Sequence, residues 1–251
     1  ADIATHWMIN PQKNQYTFFL RKDVNLHHSE YFTPTRKLNA DDVIFSFTRM
    51  LSEDHPYHAV NNATDNFLHH HPFSDLLSEI IKLDEHTIRF ILKKTDATLL
   101  ANLAAHYAVI HSQEYAQELL RLGRSEQIDH KPIGTGPYQF KANKNNKIIR
   151  YQAHKRPWQT PASFNSLILD VTPNHSKRYA KLLSGECDVI TNPASSQIKH
   201  ISENKLVSLS SQPTDNISLI AFNTLKTPFN DALMRDALSR AIDLNTILDA
   251  V

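Results

Sequence analysis

Histidine is the residue type in this sequence most able to do chemistry, because the chain contains fifteen of them. His69, His70 and His71 are consecutive, and His55 and His58 precede them. Neutral imidazole binds metal ions and haem iron. Adjacent residues of a strand point to opposite faces, so three adjacent histidines reach one ion only from an irregular loop. We keep His69–His71 as metal or haem candidates, but expect a solvated loop.

Other catalytic arrangements have little support. No G-x-S-x-G nucleophile motif occurs, and the paired carboxylates Asp41 and Asp42 stand where they would complement the dipole of a predicted helix. Cys187, the single cysteine, lies between Glu186 and Asp188, whose negative charges disfavour a thiolate. We therefore expect a protein that is not an enzyme and uses no cofactor.

Glycine is scarce, with four residues among 251, whereas an average protein has about 7%. The sequence Gly134-Thr135-Gly136 comes nearest to a dinucleotide-binding motif, but Gln139 stands where the third glycine would be. Glycine-rich phosphate-binding loops are therefore excluded. Hydrophobic residues make up 41% and no apolar run is long enough for a membrane helix, so the composition indicates a globular protein.

Basic residues are concentrated in the middle of the chain, although the net charge is only +1. From His130 to Leu169 there is no Asp or Glu. The basic residues of this stretch are Lys131, Lys141, Lys144, Lys147, Arg150, Lys155 and Arg156. Aromatic residues lie between them, as in proteins that stack nucleic-acid bases, but Tyr138, Phe140 and Tyr151 also alternate as a buried hairpin face would. A solvated hairpin is the expected structure, and binding of RNA or another polyanion is the alternative.

Strands and helices alternate along the sequence, which predicts an α/β protein. We expect strands at 15–22, 86–93, 138–142, 147–153, 167–172, 188–191, 206–210 and 217–222. We expect helices at 40–51, 97–105, 113–122, 176–183, 195–201 and 231–242, and a short helix or turn at 74–82. Asn39 is the expected N-cap of the first helix, and 143–146 is the expected hairpin turn. The sequence starts without methionine and stops within a predicted helix, so we expect part of a longer protein.

Several motifs resemble those of extracytoplasmic solute-binding proteins of the peptide/nickel class, the receptors of ABC importers. They follow the family's order over nearly the whole chain. The matching segments are Tyr16-Thr17-Phe18 with Leu20-Arg21-Lys22, Asn39-Ala40-Asp41-Asp42-Val43, Gly134-Thr135-Gly136-Pro137-Tyr138, Ser184-Gly185-Glu186-Cys187-Asp188-Val189, and Phe222-Asn223-Thr224 with Pro228-Phe229-Asn230-Asp231.

The resemblance implies a two-lobed α/β fold of the periplasmic-binding-protein type, in the class with an extra subdomain. The chain would contain mostly the first lobe. Residues 1–110 would form the extra subdomain, 111–222 the core of the first lobe, and 223–251 the hinge and the first helix of the second lobe. Such receptors close on their ligand and deliver it to an inner-membrane permease.

The resemblance also implies which residues face the ligand. Tyr57 matches a tyrosine that contacts peptide in relatives, and Thr191 and Asn192 match a polar pair that binds the ligand backbone. Leu219, Ala221 and Asn223 would follow on the strand that crosses to the second lobe. Some relatives have tyrosine and glutamate where this chain has Leu219 and Ala221, which indicates a smaller or less polar site.

Within the family, the sequence GECDVITNPAS resembles that of the Sap-type receptors, which are linked to antimicrobial-peptide sensitivity. This subgroup handles cationic peptides and, in some members, haem. The expectation is therefore a monomeric periplasmic receptor for a peptide-like or other small solute. A haem or metal receptor of the same fold is one alternative, and a protein that binds RNA or another polyanion through Lys131–Arg156 is the other.

Overall fold

The computed structural model describes residues 2–58, 60, 75–212 and 219–243. They divide into two compact units, unit 1 up to Val171 and unit 2 from Thr172 onward. The boundaries predicted at 110 and 222 concern the lobes of a longer protein and stay a prediction. No helix in the described part of the chain is both long and apolar enough to cross a membrane.

Unit 1 contains two antiparallel sheets. The first has the strand order β1-β2-β4-β3, and the second has the order β5-β6-β7. The strands are β1 (Ala4–Ile9), β2 (Gln15–Leu20), β3 (Leu77–Asp84), β4 (Thr87–Leu92), β5 (Tyr138–Lys144), β6 (Ile148–Ala153) and β7 (Ser166–Asp170). Its helices are α1 (Ala40–Leu51), α2 (Leu99–Leu103), α3 (Gln113–Arg121) and α4 (Gln127–His130).

Helix α1 packs against two cores of unit 1. Phe47 joins Phe18 and Phe90 of the four-stranded sheet, and the rings of Phe47 and Phe90 meet edge to face with centroids 5.2 Å apart. Phe45 joins a second cluster that includes Tyr115 of α3. Apolar residues on two sides of one helix therefore hold the sheet and the following helices together.

Unit 2 contains three helices in its described residues, α5 (His175–Leu183), α6 (Ser195–Glu203) and α7 (Ala232–Ala241). The predicted helices in this region are confirmed, but the predicted strands at 188–191 and 206–210 are wrong, and residues 219–222 also form no strand. Strand propensity needs a hydrogen-bonded neighbour, and these segments have no such pairing in the described part of the chain.

The region 74–82 also differs from the prediction of a helix or turn. From Leu77 onward it is strand β3, which pairs antiparallel with β4 through Ile80 and Phe90. Polar residues interrupt its apolar pattern because only one face of this edge strand packs on the core. The hairpin turn at 143–146 is confirmed, with Asn145 and Asn146 in left-handed backbone conformation at φ of 54° and 53°.

Candidate functional site

Thr191 and Asn192 form an exposed polar turn between α5 and α6 in unit 2. Asn192 has a φ of 49°, a left-handed conformation that asparagine tolerates better than most residues. The Arg178 guanidinium of α5 donates to the Asn192 carbonyl oxygen at 2.8 Å and to the Thr172 carbonyl oxygen at 3.0 Å. The turn is thus held against α5. Its hydroxyl and amide side chains can donate and accept hydrogen bonds, which is what binding of a peptide backbone requires.

Arg178 shapes this turn, and no sequence pattern singled it out. It donates to three backbone carbonyls in all, those of Thr172, Pro173 and Asn192. Its position in the first turns of α5 is recognisable from the sequence, but its partners lie up to fourteen residues away. Only the folded chain shows that they meet.

Leu219, Ala221 and Asn223 are exposed in unit 2, and no strand carries them. The prediction that strand alternation places them on one face is therefore wrong for the described residues. Asn223 instead uses its side-chain oxygen to accept a hydrogen bond from the Leu225 amide at 3.1 Å, which shapes a local turn. A ligand-binding role for these three residues stays a prediction.

Tyr57 lies in unit 1, apart from the other predicted ligand contacts along the chain. Its side chain is 2% exposed and belongs to the second core cluster. The hydroxyl donates to the Ala116 carbonyl oxygen at 2.6 Å, and the ring packs edge to face on Phe45. In this arrangement the Tyr57 side chain is part of the core. The predicted contact with a ligand requires it to leave this packing and to break its hydrogen bond with Ala116.

The basic segment forms an exposed part of unit 1. Lys141, Lys144, Lys147 and Arg150 are exposed on the β5–β6 hairpin. The aromatic residues between them are engaged within the protein, however, because Phe140 and Tyr151 are partly buried and pack edge to face. This agrees with the expected solvated hairpin, in which the Phe140 and Tyr151 rings pack on each other rather than standing free for nucleic-acid bases.

The remaining members of the basic segment have individual contacts. Lys131 lies over the Tyr31 ring, with its ammonium 5.8 Å from the ring centroid. The Arg156 carbonyl oxygen accepts from the Asn25 amide at 3.1 Å, and Lys155 is exposed. Polyanion binding by this segment stays a prediction.

The histidine candidates His69, His70 and His71 lie outside the described residues. In the described ranges, no group of three or more His, Cys, Asp or Glu side chains is placed to hold a metal ion.

Comparison with known proteins places this geometry in a family. The family of bacterial extracellular solute-binding proteins, family 5, matches residues 1–251. The chain belongs to family 5 of the bacterial extracellular solute-binding proteins. The resemblance read from the sequence motifs is therefore confirmed.

Named relatives of this family 5 chain are similar over nearly its whole length. Heme-binding protein A of Haemophilus influenzae is 41% identical over 249 residues, which is 99% of this chain and 46% of that protein. The probable ABC transporter periplasmic-binding protein SapA of Escherichia coli is 37% identical over 250 residues, 100% of this chain and 46% of that protein. The chain thus spans about half the length of the curated relatives it matches.

A solved family 5 structure agrees with the fold. The dipeptide-binding protein of Pseudoalteromonas sp. SM9913, in complex with Met-Leu, superposes with a TM-score of 0.86 at 35% identity. The match covers 100% of this chain and 50% of that protein. The α/β fold of this chain is therefore part of a periplasmic-binding-protein fold, and its relatives are solute-binding proteins rather than enzymes.

Proposed function

We propose that this chain is part of the substrate-binding component of an ABC importer, which captures a peptide-like solute in the periplasm and delivers it to an inner-membrane permease. The observation that carries the proposal is the match of all 251 residues to family 5, together with the structural agreement with a dipeptide-binding protein. Heme-binding protein A of Haemophilus influenzae and the dipeptide-binding protein of Escherichia coli each match 99% of this chain and are named for different ligands.

Binding would change the populations of the open and closed arrangements of the receptor, and no chemical reaction would be involved. A ligand that makes more contacts in the closed arrangement of the two lobes stabilises that arrangement by the difference in its affinities. The permease would then recognise the closed form. We also propose that the domain boundaries of the longer protein fall after residues 110 and 222.

The Thr191–Asn192 turn would contribute hydrogen bonds to the peptide backbone, and Leu219, Ala221 and Asn223, which belong to the same unit, would supply further contacts. Its side chains are exposed and Arg178 holds its backbone against α5, so the hydroxyl and amide groups are accessible to a ligand. Each neutral hydrogen bond lost from such a contact costs about 1 kcal/mol, or roughly a fivefold to tenfold loss of affinity.

Native mass spectrometry tests the class of ligand. The natural polypeptide that contains these 251 residues is measured as purified, under native and denaturing conditions, and then with Met-Leu added. Extra native mass equal to a peptide supports the proposal. A haem mass with visible absorbance would favour the haem alternative, and an oligonucleotide mass would favour the polyanion alternative; either result without peptide binding overturns the peptide assignment.

Substitutions test the site. Thr191→Val removes the hydroxyl with little change of shape, and Asn192→Gly removes the amide while keeping the left-handed backbone accessible. Each is expected to weaken Met-Leu binding fivefold to tenfold by titration calorimetry. Asn165→Ala, at an exposed position in unit 1, is the control and should leave the affinity unchanged. Unchanged affinity in both site variants would remove this turn from the proposed site.

A further inference from the structure

A large apolar cavity lies within unit 1. Its volume is about 830 Å³, which falls in the range of about 300–1,000 Å³ found for sites that bind small organic molecules. Strands β1, β2 and β4, helices α1 and α2, and the segment after α2 contribute to its wall. Apolar side chains that line it include Trp7, Phe18, Phe47, Phe90, Leu103 and Ala108.

A smaller, more polar pocket of about 390 Å³ lies beside this cavity. Asp2 lines both of them. Leu20 lines the apolar cavity and the next residue, Arg21, lines the polar pocket; Gly136 and Pro137 follow the same pattern. The two spaces are therefore adjacent along two stretches of chain, with the apolar cavity on one side and the polar pocket on the other.

The polar end presents a guanidinium group. The Arg21 side chain lies over the Trp158 ring at 5.3 Å from its centroid, and its Nε donates to the Asp2 carbonyl oxygen at 3.2 Å. Among the described residues Arg21 forms no ion pair. Because a guanidinium has five N–H groups, most of its donors are available to a carboxylate.

The partners of Arg21 are themselves held in place. The Trp158 indole donates from Nε1 to the Thr135 carbonyl oxygen at 2.9 Å, which fixes the ring on which the guanidinium rests. The Asp2 carboxylate, the negative group of this pocket, accepts a hydrogen bond from the Gln159 amide. Arg21 is thus positioned before any ligand arrives, while Asp2 opposes an anionic ligand.

We propose that unit 1 binds an aliphatic carboxylate, with the hydrocarbon chain in the apolar cavity and the carboxylate on Arg21. Burial of the chain supplies about 0.8 kcal/mol for each methylene group removed from water, and Arg21 selects the charge of the head group. The site lies wholly in unit 1, whereas the Thr191–Asn192 turn lies in unit 2. The inference therefore stands independently of the proposed peptide binding.

Titration calorimetry with three ten-carbon probes tests the proposal on the 251-residue chain. Decanoate is expected to bind at a single saturable site below its micelle concentration. Decylammonium, which has the same chain and the opposite charge, is expected to bind at least tenfold more weakly, and 1-decanol to fall between them. Equal or tighter binding of decylammonium would overturn the assignment of the head group.

Paired variants of the polar end test the role of charge. Arg21→Gln is expected to weaken decanoate at least tenfold and to leave 1-decanol unchanged, whereas Lys22→Gln, at the exposed neighbouring position, should change neither. Asp2→Asn removes the opposing carboxylate and should tighten decanoate binding. An equal effect of Arg21→Gln and Lys22→Gln would show a general charge effect and overturn the site.

Paired variants of the wall test the cavity. Ala108→Phe fills part of it and should weaken all three probes, whereas Ala101→Phe, exposed and outside the lining, should not. Circular dichroism checks that each variant is folded; should Ala108→Phe fail to fold, the Arg21→Gln comparison still decides the proposal. Absence of saturable decanoate binding to the folded chain overturns it.

Discussion

His27 and His154 are buried together in unit 1, beside the Gly134–Gly136 turn. Their rings meet edge to face with centroids 4.7 Å apart. The His27 Nε2 lies 2.8 Å from the Gly136 carbonyl oxygen, to which it donates, and the His27 backbone amide donates to the Gly134 carbonyl oxygen at 2.8 Å. The neutral His27 imidazole therefore holds the Gly134–Gly136 turn, and the His154 ring packs against it.

Burial lowers the pKa of His27 from 6.5 to about 4. The hydrogen bond to Gly136 opposes this shift, and the neighbouring His154 adds to it. Burial likewise lowers the pKa of His154, with repulsion from His28 adding to the effect. The unfolded chain therefore binds protons below pH 6.5 that the folded chain does not. Stability is fully present above pH 6.5 and falls as the pH drops from 6.5 towards 4.

We predict that the free energy of unfolding of unit 1 falls by about 2 kcal/mol between pH 7 and pH 5 through His27 alone. Carboxyl groups with ordinary pKa values are still ionised in this range. Urea unfolding followed by tryptophan fluorescence measures the change, because both tryptophans, Trp7 and Trp158, lie in unit 1.

Two substitutions assign this pH dependence. His27→Gln should lower stability at pH 7 and reduce its dependence on pH, leaving the part that comes from His111, whose pKa burial also lowers to about 4. His130→Gln, at an exposed position, should leave the dependence unchanged. Equal free energies of unfolding at pH 7 and pH 5 in the unsubstituted chain would contradict the prediction.

At the scale of elements, the N-terminus of α1 organises the first unit through Asp42. This carboxylate is fully buried and accepts from the Arg36 guanidinium at 2.6 and 3.0 Å. It also accepts from the backbone amides of Asn39 and of Gln113, the first residue of α3, at 2.9 and 2.8 Å. One side chain therefore caps α1, neutralises Arg36 and attaches α3.

The neighbouring carboxylates give a matched pair for a prediction. Asp42→Asn should destabilise the chain by about 3 kcal/mol, because an amide cannot neutralise Arg36 and turns a donor toward groups that already donate. Asp41 makes a partly exposed ion pair with Lys82 at 2.9 Å, and Asp41→Asn should cost less than about 1 kcal/mol. Urea unfolding at pH 7 compares them. Similar losses of unfolding free energy in the two variants would show that burial of the carboxylate does not determine how much its removal destabilises the chain.

Some of these elements could be predicted from the sequence because their signals are local. The bounds of α1 follow from the Asn39 cap and the apolar spacing, and the asparagine turn predicts the β5–β6 hairpin. Strand β3 could not be recognised, since its identity depends on pairing with β4 rather than on its own alternation. The Thr191–Asn192 turn was identified through the family motifs, but Arg178 and the burial of Tyr57 depend on contacts distant in sequence.

At the scale of the whole chain, the two units differ in how much apolar surface they bury. Unit 1 contains two clusters of buried side chains around α1. Among the described residues of unit 2, Ile201 is the one buried hydrophobic side chain, while Leu225 and Leu206 are 92% and 85% exposed. Most helical stability in proteins comes from tertiary packing. The helices of unit 2 therefore gain little stability from packing among the described residues.

Helices α3 and α5 test this difference because each has nine residues and a capped N-terminus. The Ser112 side chain accepts from the Tyr115 amide at the start of α3, and the Asn174 side chain accepts from the Lys177 amide at the start of α5. Helix α3 buries Tyr115, Ala116 and Leu119, whereas α5 has no fully buried residue. Hydrogen–deuterium exchange of the 251-residue chain should therefore show at least 100-fold greater amide protection in α3 than in α5, a difference of about 2.7 kcal/mol in opening free energy. Equal protection would mean that capping and helix propensity, rather than packing, set the local stability of this chain.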